Sequence, residues 1–201
     1  MISACDIRRL AAIAAASFAL IGPTGFAFGA DADKSPPNAS ATPEISEAAR
    51  KAYAESMRRA RELLTQKKYD EAIAQLDKLS AERPREPQAR FLKAVALSDQ
   101  KKTDEAMAAY RELVADFPEM PEPHNNLAVL YAQKGELALA RDELLLAIST
   151  APDYALAHEN LGDVYAQLAA EQYERAGTID KRNKTAPAKL KAVRDMIAAA
   201  P

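Results

Sequence analysis

Residues 121–154 read Pro-Glu-Pro-His-Asn-Asn-Leu-Ala-Val-Leu-Tyr-Ala-Gln-Lys-Gly-Glu-Leu-Ala-Leu-Ala-Arg-Asp-Glu-Leu-Leu-Leu-Ala-Ile-Ser-Thr-Ala-Pro-Asp-Tyr. A ruler of thirty-four residues laid outward from this stretch finds it again on both sides. Pro152 repeats at Pro118 and Pro84, and Ala140 at Ala106 and Ala72. Ala128 repeats at Ala94 and Ala60 and, forward, at Gly162. Tyr131 repeats at Leu97, Leu63 and Tyr165; Leu144 at Tyr110 and Leu76; Ala147 at Leu113 and Leu79. Six columns in one phase make an internal repeat. Within a unit the apolar steps are three and four, as in Phe91, Ala94, Val95, Leu97 and in Met107, Tyr110, Leu113, Val114, which is helical spacing. Breaks recur at Lys67-Lys68, Lys101-Lys102 and Lys134-Gly135. Each unit is therefore expected to be two antiparallel helices joined by a short turn. Thr103 is placed to N-cap a second helix, and Gly135 to take the left-handed conformation that stops a first one.

The columns have a physical reading. Small residues at Ala60, Ala94, Ala128 and Gly162, and at Ala72, Ala106 and Ala140, let the paired helices approach closely. The larger column of Leu63, Leu97, Tyr131 and Tyr165 is expected to fill the seam with the next unit. The prolines end the second helix and exclude the helical region for the residue before them. A fourth unit begins on schedule with His158, Leu161, Gly162 and Tyr165, and then loses phase. Ala169, Tyr173 and Ala176 restore the second-helix columns only if five residues, the turn, are missing. The spacing predicts one long helix, roughly 155 to 181, which Gly177 frays or bends. Pro187 suits a first helical turn, and Leu190, Val193 and Ile197 form an apolar stripe beyond it. Two readings of that stripe stand: a helix capping the array, or an amphipathic helix for a partner or membrane surface, with Lys189, Lys191 and Arg194 beside it.

These residues resemble the tetratricopeptide repeat (TPR). That family has a bulky residue at position 4, Leu at 7, Gly or Ala at 8, Tyr at 11, Ala at 20, a large apolar residue at 24, Ala at 27 and Pro at 32. Residues 121–154 fit through His124, Leu127, Ala128, Tyr131, Ala140, Leu144, Ala147 and Pro152. Residues 87–120 depart at Arg90 and Lys93, and residues 53–86 at Ser56 and Arg59. The resemblance implies an all-α solenoid of antiparallel helix pairs. Its units are a first over 43–86 with an N-terminal helix extension, a second over 87–120 and a third over 121–154. A shortened fourth unit and a capping helix fill 155–201.

Before the repeats, Arg8 and Arg9 precede an apolar run from Leu10 to Ile21, broken by Gly22-Pro23. Small residues follow at Ala27, Gly29 and Ala30. This is the pattern of an export signal over residues 1–30, since the run is shorter than the ~20 residues a spanning helix needs. Retention as an uncleaved anchor is the rival reading. Residues 31–42, with Pro36-Pro37, read as a flexible tether. The one cysteine, Cys5, lies inside the signal, so cleavage leaves a chain without thiols, suited to an oxidising space. The expected location is the periplasm of a Gram-negative bacterium, with no membrane span once the signal is removed.

The formal net charge of −2 over 201 residues lacks the basic excess that nucleic-acid binding requires. There is no glycine-rich phosphate loop, no Gly-x-Ser-x-Gly elbow and no surviving cysteine nucleophile. His158-Glu159 begins a zinc-protease motif, but Gly162 stands where its second histidine belongs. No catalytic residue, cofactor or metal is therefore expected. His124 and His158 share a repeat position, and packing into the bulky slot is weighed there against a metal site.

In the TPR family, positions 2, 5, 6, 9, 12 and 13 line a concave groove. Carried onto this chain, the resemblance implies Met57, Arg58, Arg61 and Thr65 from unit one, and Gln88, Phe91, Val95, Ser98 and Asp99 from unit two. Unit three gives Asn125, Asn126, Val129 and Gln133, and unit four Glu159, Asn160, Asp163 and Gln167. Such a groove runs from basic, through apolar and amide, to acidic. For the arginines the alternative is a soluble cap, and for Asn126 and Asn160 a purely structural Asn-Leu-Gly/Ala pattern. Met57 and Leu92 break the clamp by which some TPR proteins hold chaperone carboxylates. The implied function is a non-catalytic exported scaffold that binds a protein or peptide, resembling proteobacterial envelope TPR proteins, in cell-envelope assembly or maintenance. The alternatives are an accessory activator of a cell-wall (peptidoglycan) enzyme acting in trans, and a small metal or ligand carrier using His124 and His158. The oligomeric state is left open.

Overall fold

The computed structural model describes residues 46–199, which form eight α-helices, with no strand among the described residues. The expected signal over 1–30, with Cys5, and the tether over 31–42 lie outside the described residues. The helices are α1 (Glu47–Thr65), α2 (Tyr69–Glu82), α3 (Pro87–Asp99), α4 (Thr103–Asp116), α5 (Pro121–Gln133), α6 (Leu137–Thr150), α7 (Ala155–Ile179) and α8 (Thr185–Ala199). Each packs on the next in sequence, and first helices of adjacent units also touch, α1 with α3 and α5 with α7. The first helices thus form one layer and the second helices another, as a solenoid of antiparallel pairs requires.

The period is visible atom by atom in the turns. The amides of Lys68, Lys102 and Glu136 bond back to the carbonyls of Leu63, Leu97 and Tyr131 at 2.9, 3.0 and 2.9 Å. This six-residue closure needs a left-handed residue just before it. Gly135 supplies it at φ 78°, but Lys67 and Lys101 supply it at φ 59° and 64°. A side chain in that region costs about 1 kcal/mol, a strain the flanking helices hold in place. The same turn corrects the expected cap. Lys102, at φ −79° and ψ 62°, is the boundary residue of α4, and Thr103 is already its first helical residue. At the other end of each second helix, Arg83, Phe117 and Ala151 leave the helical region at φ −134° to −136°, each directly before its proline.

The small columns behave as expected in the first three units. Ala60, Ala94 and Ala128, and Ala72, Ala106 and Ala140, are fully buried between paired helices. At position 11 the Tyr131 hydroxyl also accepts a bond from Arg111 Nε of α4 at 3.1 Å, a contact with the preceding unit. The departures in unit two have electrostatic substitutes. Arg90 pairs with Asp116 at 2.7 Å and lies over the Phe117 ring, while Lys93 reaches Asp77 of unit one at 2.6 Å. The core falls into two parts. A large one runs from Ala94 to Val164; a small one joins Tyr53, Met57, Ala60, Leu76, Leu79 and Ala89. The N-terminal extension of α1 starts at Ser46, whose hydroxyl accepts from the Ala49 amide. Arg83 pins it by bonding the Ala49 carbonyl and lying over the Tyr53 ring at 4.0 Å.

After α7 begins, the hairpin pattern stops. The helix runs unbroken to Ile179, two residues short of the expected end, and Gly177 neither frays nor ends it. Gly177 instead marks a close approach, because a Cβ there would sit 3.7 Å from Pro187 of α8. Asn183 caps α8 by accepting from the amides of Thr185 and Ala186. Leu190, Val193 and Ile197 are half-buried and Ala186 is buried, so the stripe packs α8 onto α7.

Candidate functional site

The first helices carry the residues expected to line a groove, and their burial separates them. In unit one, Arg58 and Arg61 are exposed; Arg58 is paired on its own helix with Glu62 at 2.6 Å. In unit two, Phe91 is half-buried and tilted against the Tyr110 ring, with centroids 6.1 Å apart. Val95 and, in unit three, Val129 are buried with little surface to offer, whereas Gln133 is half-buried. In unit four, Glu159 and Asp163 are exposed. The Asp163 carboxyl, although its residue reaches solvent, is pushed above the usual carboxylate range, first by partial desolvation against its own helix and second by the like charge of Glu159. Burial likewise raises Asp99 of unit two, against the opposing pull of Lys101 and Lys67.

The asparagines are joined to one another. Asn160 donates to Asn125 at 2.8 Å, Asn125 donates to Asn126 at 3.2 Å, and Asn126 donates to the Tyr110 hydroxyl at 3.1 Å. This chain of amides crosses α7, α5 and α4, and so ties three units together. Asn125 and Asn160 are buried, where an amide must keep its partners, so their side chains are committed to the scaffold. Asn126 is half-buried. Sequence reasoning missed the anchor, Tyr110, although its signal is a hydroxyl in a column otherwise filled by Leu76 and Leu144. Burial pushes that phenol far above its ordinary range, which keeps it a neutral acceptor and donor.

The two histidines have separate partners. His124 is buried and its Nδ1 meets Glu143 of α6 at 2.7 Å, while His158 is exposed and its Nε2 donates to the Pro152 carbonyl at 2.9 Å. Among the described residues no three His, Cys, Asp or Glu side chains converge in a metal-binding group. No helix among them is long and apolar enough to cross a membrane.

Comparison with known proteins agrees with this geometry. Two models of the tetratricopeptide repeat match, over residues 57–121 and 97–168, which together span more than half the chain. Among solved structures, the fold is similar to a thermophilic TPR protein, TTC0263, from Thermus thermophilus. That likeness has 22% identity over 70% of this chain and 80% of that one, with a TM-score of 0.52. It is also similar to a MamA protein, at 21% identity over 73% and 86% of the two chains and a TM-score of 0.52. A tetratricopeptide repeat protein from Parabacteroides merdae aligns at 18% identity over 72% and 61%, with a TM-score of 0.53. At such identities the likeness speaks for the fold alone. No curated protein matches. With the thirty-four-residue hairpin, its buried alanine columns and two matching family models in hand, the chain belongs to the tetratricopeptide repeat proteins.

Proposed function

We propose that this protein is a non-catalytic scaffold, exported to the periplasm of a Gram-negative bacterium, that holds an extended protein segment along its first-helix groove in cell-envelope assembly or maintenance. TPR arrays in general are protein-interaction scaffolds. The export part rests on the signal pattern of residues 1–30. The observation that carries the binding part is the polarity of the groove. Exposed Arg58 and Arg61 stand at one end and exposed Glu159 and Asp163 at the other, with Phe91 and Asn126 between them. A segment with acidic residues at one end, basic residues at the other and an apolar residue between matches that gradient. Charge at such an interface sets orientation and partner choice more than raw affinity.

The test uses four surface side chains, so the fold is not at stake. The chain is used to capture partners from periplasmic extract, alongside Arg58→Glu/Arg61→Glu and Glu159→Lys/Asp163→Lys variants. Both variants are expected to lose the same partner by at least about tenfold, as two reversed charge contacts imply. Equal recovery by all three proteins would overturn the groove reading.

A further inference from the structure

We propose that two copies of this chain pair by exchanging the second halves of α7, each supplying the second helix that the other's fourth unit lacks. The inference does not rest on the groove reading.

The first half of α7 is built to face a second helix. His158, Gly162 and Tyr165 occupy the positions of His124, Ala128 and Tyr131. In unit three those side chains are buried; in unit four all three residues are exposed. Tyr165 is 47% exposed against 7% for Tyr131, and a Cβ on Gly162 would meet nothing within 4 Å. Leu145 of α6 is 43% exposed. Its equivalents, Asp77 and Arg111, reach the next unit's first helix through Lys93 and Tyr131, so an apolar residue here faces the incomplete unit.

The second half of α7 carries the absent helix's pattern. Ala169, Tyr173 and Ala176 repeat the spacing of Ala140, Leu144 and Ala147. Without a turn after Leu168 this half cannot fold back on the first, and α7 continues unbroken to Ile179. At 3.6 residues per turn, His158, Gly162, Tyr165, Ala169, Tyr173 and Ala176 form one stripe down the helix. Laid antiparallel on a second α7, the stripe pairs 165 with 169, 162 with 173 and 158 with 176 of the other copy, centred near 167. The same pairs recur in reverse, as a two-fold interface demands. One contact checks the register. Position 4 meets position 23 across the hairpin in unit one, where Gln75 bonds the Ser56 carbonyl at 2.6 Å, and in unit three, where His124 meets Glu143 at 2.7 Å. In unit four those positions are His158 and Gln172, both exposed, and the exchange sets them one turn apart, the offset their equivalents have within each hairpin.

Charge agrees with this docking. α8 packs along one edge of the stripe, with Lys189 over the ring of Tyr173 and Arg194 paired to Glu174, and leaves Ala169, Tyr173 and Ala176 half-buried rather than covered. By helical angle that flank, continued into the first half, bears Glu159 and Asp163. A two-fold axis between antiparallel helices brings like flanks together, so the basic residues of one copy's α8 approach the acidic pair of the other.

Sedimentation of the full chain at tens of micromolar is expected to give twice the chain mass. Gly162→Arg puts a long charged side chain into space that is open in a single copy; it should weaken association at least about tenfold while leaving helical content unchanged, and its melting should lose the dependence on protein concentration that a dimer shows. A second variant inserts Gly-Glu-Leu-Ala-Leu, the sequence of 135–139, between Leu168 and Ala169. It restores the turn, lets each copy complete its own fourth unit and should be monomeric. A parent chain that sediments as a monomer, or a dimer that survives either change, would overturn the proposal.

Discussion

Units three and four start from nearly the same first helix and end differently. His124, Asn126, Leu127, Ala128 and Tyr131 answer to His158, Asn160, Leu161, Gly162 and Tyr165. In unit three a second helix returns across that face and buries it; in unit four the chain runs on, and His158, Gly162 and Tyr165 are left in solvent. The side chains that make a repeat recognisable therefore do not by themselves make it close. Five residues of turn decide whether the same helix is core or surface.

The sharpest way to break this comparison is the same truncation in both units. Tyr131→Ala removes a buried ring and orphans the Arg111 contact, and should cost about 3 kcal/mol of unfolding free energy. Tyr165→Ala, measured at submicromolar concentration, should cost less than about 0.5 kcal/mol, as for an exposed position. Chemical denaturation of the two variants checks this, and equal losses would mean that unit four is closed. Next in size is the amide chain that joins the two units. Asn125→Ala leaves Asn160 without its acceptor and should cost about 1–3 kcal/mol. Asn126→Ala, at the half-buried end, should cost about 1 kcal/mol, and the order of the two thermal midpoints reads out which amide is structural. The smallest effects lie in the turns. Gly135→Ala should destabilise by about 1 kcal/mol, and Lys101→Gly should stabilise by up to about 1 kcal/mol by relieving the same left-handed strain.

The repeat was legible because packing imposes residue size at fixed intervals, and size is written in the sequence. The alanine columns, the prolines and the missing turn could all be read from Ala60 to Ala176 without coordinates. The left-handed lysines could not be read from residue type, since nothing about Lys67 or Lys101 favours positive φ. Only their thirty-four-residue spacing from Gly135 pointed to it. Thr103 misled because its chemistry suits a cap, while the turn's closure put Lys102 at the boundary. In the groove, sequence located the exposed charges, Arg58, Arg61, Glu159 and Asp163, because charged side chains seek solvent. It could not apportion the asparagines. Positions 5 and 6 of neighbouring units meet across a seam, and whether an amide points outward or toward its neighbour is decided by a partner thirty-five residues away.

The split core has a dynamic consequence. The buried cluster is interrupted at the seam between the first two hairpins, where Ala89 and Ile73 reach across and the Lys93–Asp77 ion pair adds to them; the Lys134–Asp104 pair at the next seam is backed by one continuous apolar mass. Exposed ion pairs weaken as salt rises and apolar contacts do not. In a stacked array, where each hairpin leans only on its neighbours, opening then begins at the amino-terminal end. Protons on the amides of α1 and α2 would trade with solvent as a separate, salt-sensitive cooperative block, while those of α5 and α6 wait for the whole molecule to come apart.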